Sequence, residues 1–481
     1  MKSLKEQAKV GLLWTLSERF GVQLIDFIVS VVLARILLPE EFGMVAMIAV
    51  FVAIGSTLKE GGLTLSLIRT ENPGETDYST VFFATLGLGI VMYWVLFVTA
   101  PLISEFFDQS QLASLVRVLG LKIILDAASS IQSARLTKAM NFKTQVIVQI
   151  PSVLLSGLLG IVLAYSGFGV WSLVYMNLAR VTMAALQLWI ISDWRPRLVF
   201  DSQKFRTHFR FGYKLTLSGL LDTIYLHIYS LIIGKYFSPA QLGYYTRADS
   251  AKQLPITNIS AALNKVTYPL MAAIQNDTNR LKNVYKRLMQ QVLFWVAPLL
   301  TGAAILAEPA FRLLFTEKWL PAAPYFQVLC IVGIMYPLQA YNLNILLVKG
   351  RSDLFMRLEI IKKVFVTIGV LAIFPFGIMG LLYFQVASSF ITYFVNSHFS
   401  GRLIGYGVWD QIRDVTSIFG MTALMGIGCF LLDAYLESIQ MGDILRILVN
   451  ATTGGFIYLG IAGLTRSEAF SEFKTIVLNS K

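Results

Sequence analysis

Almost from end to end the chain is cut into apolar stretches long enough to cross a lipid bilayer, and this feature alone removes most soluble folds from consideration. A hydrocarbon core takes about 20 helical residues to span. That ruler gives fourteen expected helices, at 10–36, 42–68, 79–104, 112–137, 142–165, 170–192, 211–236, 241–271, 285–307, 323–348, 356–375, 378–400, 412–433 and 444–465. Backbone N–H and C=O groups in lipid must be satisfied within each segment, so the expected fold is an all-α polytopic membrane protein. Composition agrees: 56% of the 481 residues are hydrophobic and 14% are charged, too few to clothe a soluble surface.

The placement of charge then suggests an orientation. Lys and Arg outnumber Asp and Glu by 40 to 28. In a soluble chain that excess would point to nucleic acid. Here the basic residues gather in alternate connections: Arg135, Lys138 and Lys143; Arg195, Arg197, Lys204, Arg206 and Arg210; Arg280, Lys282, Lys286 and Arg287; Lys349 and Arg351. Short loops rich in Lys and Arg stay on the cytoplasmic side, so both termini are expected there and no nucleic-acid partner is implied. Lys2, Lys5, Glu6 and Lys9 precede the first apolar stretch with no small-residue cleavage site, so that helix is expected to be retained. Cys330 and Cys429 lie far apart inside apolar runs, which reads as packing and not as a disulfide or metal site.

An internal repeat divides the array. Arg35-Ile36-Leu37-Leu38-Pro39-Glu40-Glu41-Phe42-Gly43 aligns without a gap on Lys235-Tyr236-Phe237-Ser238-Pro239-Ala240-Gln241-Leu242-Gly243. Each segment ends a helix on a cation, turns at a proline and enters the returning helix near a glycine. The repeat implies an N-lobe at 1–192, a basic linker at 193–210, a C-lobe at 211–400, and two further helices with a tail at 401–481. Six helices per lobe means that both lobes enter from the same side, as in parallel-repeat transporters.

Few residues suggest bond-making chemistry. There is no Gly-rich phosphate loop followed by Lys-Ser or Lys-Thr, and the three histidines, His208, His227 and His398, are scattered. No long extramembrane segment is present to hold an acceptor and catalytic carboxylates, so the chain reads as a non-enzyme without a cofactor.

Ionisable groups at membrane depth are costly and are expected to face a partner or an aqueous cavity. Lys59, Lys252, Arg19, Arg247, Lys265 and Arg180 form the candidate cationic set. Glu18, Asp26, Glu60 and Asp222 are candidate coupling or gating carboxylates. Lys122 and Asp126, spaced i,i+4, are expected to pair with each other. For Arg247 and Lys265, snorkelling to an interface competes with a cavity role. A cavity lined by cations suits a phosphate head group, and Tyr225, Tyr229, Tyr244 and Tyr245 could offer sugar-stacking faces beside it.

Several stretches carry a resemblance. Leu63-Thr64-Leu65-Ser66-Leu67-Ile68-Arg69 with Thr80-Val81-Phe82-Phe83 is similar to the second-to-third helix junction of the Wzx-type polysaccharide exporters, within the multidrug/oligosaccharidyl-lipid/polysaccharide superfamily. Leu242-Gly243-Tyr244-Tyr245-Thr246-Arg247-Ala248, Tyr268-Pro269-Leu270, Glu317-Lys318-Trp319-Leu320-Pro321-Ala322-Ala323-Pro324 and Gly350-Arg351-Ser352-Asp353-Leu354 also resemble that family. The resemblance covers residues from about 10 to 400. It implies two six-helix lobes around a central cavity in the bacterial inner membrane. Alternating access would carry an undecaprenyl-pyrophosphate-linked oligosaccharide from the cytoplasmic to the periplasmic leaflet for O-antigen, capsule or exopolysaccharide synthesis. Other polysaccharide-assembly membrane proteins are implied as partners. A proton or sodium gradient is the implied coupling source, the ion being left open. The alternatives are a cation-coupled drug or metabolite exporter of the same superfamily, which would favour carboxylates over cations in its cavity, and a membrane glycosyltransferase or polymerase.

Overall fold

The computed structural model describes residues 4–465, 467–471 and 474, and the side chains of these except 4–13, 15–19 and 257–269. Among the described residues there is no strand. The helices are α1 (Leu4–Ile36), α2 (Pro39–Glu60), α3 (Leu63–Arg69), α4 (Glu75–Phe107), α5 (Leu112–Lys138), α6 (Phe142–Tyr165), α7 (Val170–Ile191), α8 (Ser202–Leu226) and α9 (Ile228–Tyr236). They continue with α10 (Pro239–Ala273), α11 (Thr278–Ile305), α12 (Ala307–Phe315), α13 (Ala322–Val348), α14 (Ser352–Ile373), α15 (Gly377–Ile404), α16 (Val408–Ser438) and α17 (Asp443–Leu464).

Length and apolarity alone pick out 9 spanning stretches among the described residues, one of which, Ser352–Ile404, holds both α14 and α15. The pair α8 and α9 passes jointly, bent by 46°. The remaining long helices, α1, α5 and α10, carry internal charges that lower their hydropathy. Together these are the fourteen expected spans, with α3 and α12 as short extensions.

Three spans depart from the expected outline. The second does not run unbroken to residue 68: Gly61 and Gly62 adopt left-handed φ of 54° and 63°, ending α2 and setting α3 at a new angle. The seventh breaks at His227, between α8 and α9. The ninth starts earlier, at Thr278, because Asp277 caps it by accepting from the Arg280 N–H at 3.0 Å.

Packing divides the chain into Met1–Gly243 and Tyr244–Lys481. In the first unit α1 lies on α6, α4 on α5, and α7 on both α5 and α6, while α2 packs against α4, α5 and α8. Leu63, Leu67, Val81, Phe82, Ile131 and Trp194 form a buried cluster. The Trp194 indole donates to Glu75 at 2.8 Å, so its polar edge is satisfied. The stretch 193–210 is held against α4: the Arg197 and Asp201 N–H groups donate to Ser79 Oγ and Thr80 Oγ1 at 3.0 and 3.1 Å. From Ser202 onward it is helix, capped by Asp201. Asp77 accepts from Lys204 at 2.7 Å and faces His208 Nε2 at 3.4 Å, while His208 Nδ1 bonds Ser66 at 2.8 Å. Beside this cluster a Cβ on Gly62 would sit 2.5 Å from Gly212 Cα, so the two backbones touch.

The repeated turn is built the same way twice. The Leu38 N–H donates to Glu41 at 2.7 Å, and the Ser238 N–H donates to Gln241 at 3.2 Å. The two turns also meet reciprocally. A Cβ on Gly43 would lie 1.8 Å from the Pro239 carbonyl oxygen, and one on Gly243 would lie 2.0 Å from that of Pro39. Equivalent residues thus exchange equivalent contacts, the pattern of a local two-fold.

In the second unit α11 packs against α13 and α16, α13 against α15, and α16 against α17. Buried amides and hydroxyls join them: Asn342 Nδ2 donates to Gln411 Oε1 at 3.2 Å, and Ser400 donates to Asn342. Arg446 on α17 donates twice to Asp433 on α16, at 3.1 and 2.8 Å, which fixes that pair of helices.

Candidate functional site: a charged cavity in the first unit

A cavity of about 600 Å³ opens among α2, α3, α5, α6 and α7. Three of its lining residues are cations, Lys59, Lys122 and Arg180, and two are carboxylates, Glu60 and Asp126. The remainder is largely hydroxyl and amide, including Ser56, Thr64, Ser129, Ser130, Ser133, Thr137, Gln149 and Asn177.

Each charge reaches the cavity for a structural reason. Lys59 stands in the last turn of α2, where its cation complements the helix dipole. It is 3% exposed and forms no direct ion pair or hydrogen bond among the described residues. Its stem lies over Gly89 of α4 at ordinary contact distance, and Asp126, Glu60 and Lys122 are the charges around it. Arg180 on α7 donates to Asp26 on α1 at 2.9 and 3.2 Å. This pair also borders a second void of about 90 Å³, so Arg180 stands between the two spaces.

The expected pairing of Lys122 with Asp126 is not formed; no ion pair joins them among the described residues. Spacing put them on one face of α5, but that face opens on the cavity, where Asp126 feels the charges of both Lys59 and Lys122. The structure therefore brings Lys59, Glu60 and Arg180 into one site, with Asp26 at its edge, and adds Lys122 and Asp126. Asp222 is exposed on α8. The side chains of Glu18, Arg19 and Lys265 lie outside the described residues.

Two cations belong to the second unit. Lys252, 4% exposed, pairs with Asp249 one turn earlier at 2.5 Å and lies against Gly333 of α13. Arg247 is set over the rings of Phe315 and Trp319, each 5.1 Å away, so aromatic faces hold its guanidinium rather than an interface. Of the four tyrosines, Tyr229 and Tyr245 are buried, and Tyr244 packs edge-on to Trp319 at 6.0 Å.

The hydroxyl and amide lining escaped the sequence reading. Its signal was present on α5, where Lys122, Asp126, Ser129, Ser130, Ser133 and Thr137 recur at three- and four-residue steps on one face.

A family model described as polysaccharide biosynthesis protein matches residues 32–324, which include the whole of this cavity. The chain belongs to this family. Teichuronic acid biosynthesis protein TuaB of Bacillus subtilis is 24% identical over 95% of this chain and 96% of its own length. Lipopolysaccharide biosynthesis protein WzxC of Escherichia coli is 24% identical over 82% and 81%. Succinoglycan biosynthesis transport protein ExoT of Rhizobium meliloti is 27% identical over 68% and 67%. Among solved structures, the lipid II flippase MurJ in an inward closed conformation matches with a TM-score of 0.70 at 15% identity, covering 97% of this chain and 99% of that one. An inward-facing multidrug resistance MATE family transporter of the MOP superfamily matches at 0.62 and 15% identity, over 79% and 95%. In this polysaccharide biosynthesis protein the fold is thus that of the MurJ and MATE transporters.

Proposed function

We propose that this polysaccharide biosynthesis protein is a flippase, carrying an undecaprenyl-pyrophosphate-linked oligosaccharide from the cytoplasmic to the periplasmic leaflet by alternating access. The observation that carries this reading is the unspent charge of Lys59, deep in a cavity that also holds Lys122 and Arg180. A buried cation without a direct partner is costly in a membrane protein. A phosphate oxygen would supply the missing partner, and low-dielectric walls would strengthen the attraction. The polar remainder of the cavity suits a glycan, and the polyprenyl chain belongs in lipid. Family membership and the names of TuaB, WzxC and ExoT support the same reading.

The chain is a transporter and not an enzyme in this proposal, set in the inner membrane with both termini cytoplasmic. A proton or sodium gradient is the proposed source of direction, with Asp26, Glu60 and Asp222 as the carboxylates that would respond to it. Other membrane proteins of polysaccharide assembly are its proposed neighbours.

The test is reconstitution into liposomes with a labelled polyprenyl-pyrophosphate oligosaccharide, comparing wild type with Lys59→Ala and Lys252→Ala. A hydrogen bond to a charged group contributes about 1.5–3 kcal/mol, so losing one to the pyrophosphate lowers transport at limiting substrate by about tenfold or more. Lys59→Ala is expected to show that loss, and Lys252→Ala a smaller one because Asp249 already neutralises it. Equal transport by wild type and Lys59→Ala removes the head-group assignment. Proton-dependent efflux of an organic cation, without glycolipid movement, would replace the flippase reading with the drug-exporter one.

A further inference from the structure

The polar wall of the cavity has a direction in its hydrogen bonding. On α5, Ser129 Oγ donates to the Leu125 carbonyl at 3.2 Å and Ser130 Oγ to that of Ala127 at 2.9 Å. Across the cavity, Asn177 Nδ2 donates to the Leu173 carbonyl of its own helix at 2.8 Å. The two serine hydroxyls have turned their protons to backbone, and Asn177 one of its two amide protons, so hydroxyl lone pairs and the Asn177 carbonyl oxygen remain for the space between, beside one amide N–H. Asp126 and Glu60, when ionised, add acceptors only. Thr137 completes the stripe, its hydroxyl donating to the Ser133 carbonyl at 3.1 Å while accepting from Gln145.

A wall of acceptors does not bind an anion. It complements a neutral ligand rich in O–H and N–H donors. Charges and acceptors are arranged in order along the same face: Lys122 and Asp126 come first, then Ser129, Ser130, Ser133 and Thr137, over 16 residues or about 22 Å of helix. Lys59, 3% exposed and without a direct partner, stands at the cationic end, and the buried Thr64 Oγ1, also lining the cavity, has no hydrogen-bond partner. Both side chains have bonding capacity unused within the described residues.

We propose that the α5 face from Ser129 to Thr137, with Asn177, is a glycan subsite that reads the sugars next to the pyrophosphate through their donor hydroxyl and amide groups. Resting on the flippase reading, this deepens it by fixing the order of the ligand: pyrophosphate at Lys59 and Lys122, sugars toward the C-terminal end of α5. Serines also leave the space open. A larger side chain at 130 or 133 would occupy the volume that the sugar needs.

The experiment measures binding of two lipids to the purified full chain in nanodiscs: bare polyprenyl pyrophosphate, and the same lipid bearing its oligosaccharide. Wild type is expected to bind the glycosylated lipid about tenfold or more tightly, since several neutral hydrogen bonds of a few-fold each are at stake. In the combined variant Ser129→Ala, Ser130→Ala and Asn177→Ala that preference falls to near one. Lys59→Ala weakens both lipids and keeps the preference. Thermal unfolding of each variant confirms that the fold is intact, and Ser133→Leu gives an independent steric test of the same subsite. If wild type prefers the glycosylated lipid and the combined variant prefers it as strongly, the subsite is overturned while the flippase reading stands. Equal binding of both lipids by wild type has the same consequence. If wild type binds neither lipid, the flippase reading falls and takes the subsite with it.

Discussion

Lys59 and Arg446 are both nearly buried cations, 3% and 4% exposed, yet they answer to opposite physics. Arg446 is satisfied by two hydrogen bonds to Asp433, with Glu437 and Asp443 at 3.4 and 3.9 Å. Removing one partner of such a pair strands the other charge, so Arg446→Met is expected to cost about 3 kcal/mol. Lys59 holds no direct partner, and its replacement leaves Asp126 with Lys122 still near it. Lys59→Met is therefore expected to cost less than about 1 kcal/mol of stability while lowering transport about tenfold. Thermal unfolding in detergent, set beside the liposome assay, checks both. A large loss of stability in Lys59→Met would mean that the lysine is structural. The depth of Lys59 was legible in the sequence because an apolar window surrounds it. The state of Lys252 was half legible: its depth was plain, and Asp249 three residues earlier was the sign that its charge is already matched. The cavity hydroxyls share one face of α5 in the sequence, but that stripe alone did not show that they line a space. Ser and Thr in a membrane helix bond their own backbone wherever they face, so only the helix's neighbours decide whether they line a space.

At the scale of elements, the paired turns at Pro39–Gly43 and Pro239–Gly243 show what a repeat means physically. Sequence alone aligned them; the structure shows that each glycine is required by the other turn's proline carbonyl, which would lie 1.8 or 2.0 Å from any Cβ there. Gly43→Val is expected to push these helix starts apart and lower the unfolding midpoint by several degrees, because the obstacle is backbone and cannot rotate away. Gly87 on α4 is the control, since a Cβ there meets nothing within 4 Å. Gly87→Ala is expected to be neutral or to stabilise by up to about 1 kcal/mol through helix propensity. Equal unfolding midpoints for both variants would sink the close-contact argument. Helix positions were read correctly from apolar length, but the break at Gly61 and Gly62 was not. A glycine pair inside an apolar run is common in membrane helices, and the backbone of Gly212, which lies against the left-handed turn here, is far away in sequence.

At the scale of the whole molecule, the fourteen spans and the basic connections make one joint claim about the two sides of the membrane. The helices that fall short on apolarity, α1, α5 and α10, carry several charges each, whereas α2 and α7 keep Lys59 and Arg180 within spans that remain apolar enough, so a composition count undervalues only part of the spans on which function rests. If both termini are cytoplasmic, the α4–α5 turn near Gln109 and the α6–α7 turn near Ser166 face outward, while the α5–α6 turn near Met140 and the 193–210 stretch face inward. Cysteine labelling can separate these sides because the two native thiols, Cys330 and Cys429, are buried and contribute little background. In intact cells a membrane-impermeant maleimide is expected to label Gln109→Cys and Ser166→Cys, but to reach Met140→Cys and Arg197→Cys only after permeabilisation. An inverted chain would give the reverse pattern. It would place the cytoplasm against the acidic turn that holds Glu105 and Asp108, and leave Arg195, Arg197, Lys204, Arg206 and Arg210 outside, against the rule that retains Lys and Arg in the cytoplasm. Labelling of Arg197→Cys in unpermeabilised cells would therefore overturn the orientation and, with it, the cytoplasm-to-periplasm direction proposed for the glycolipid.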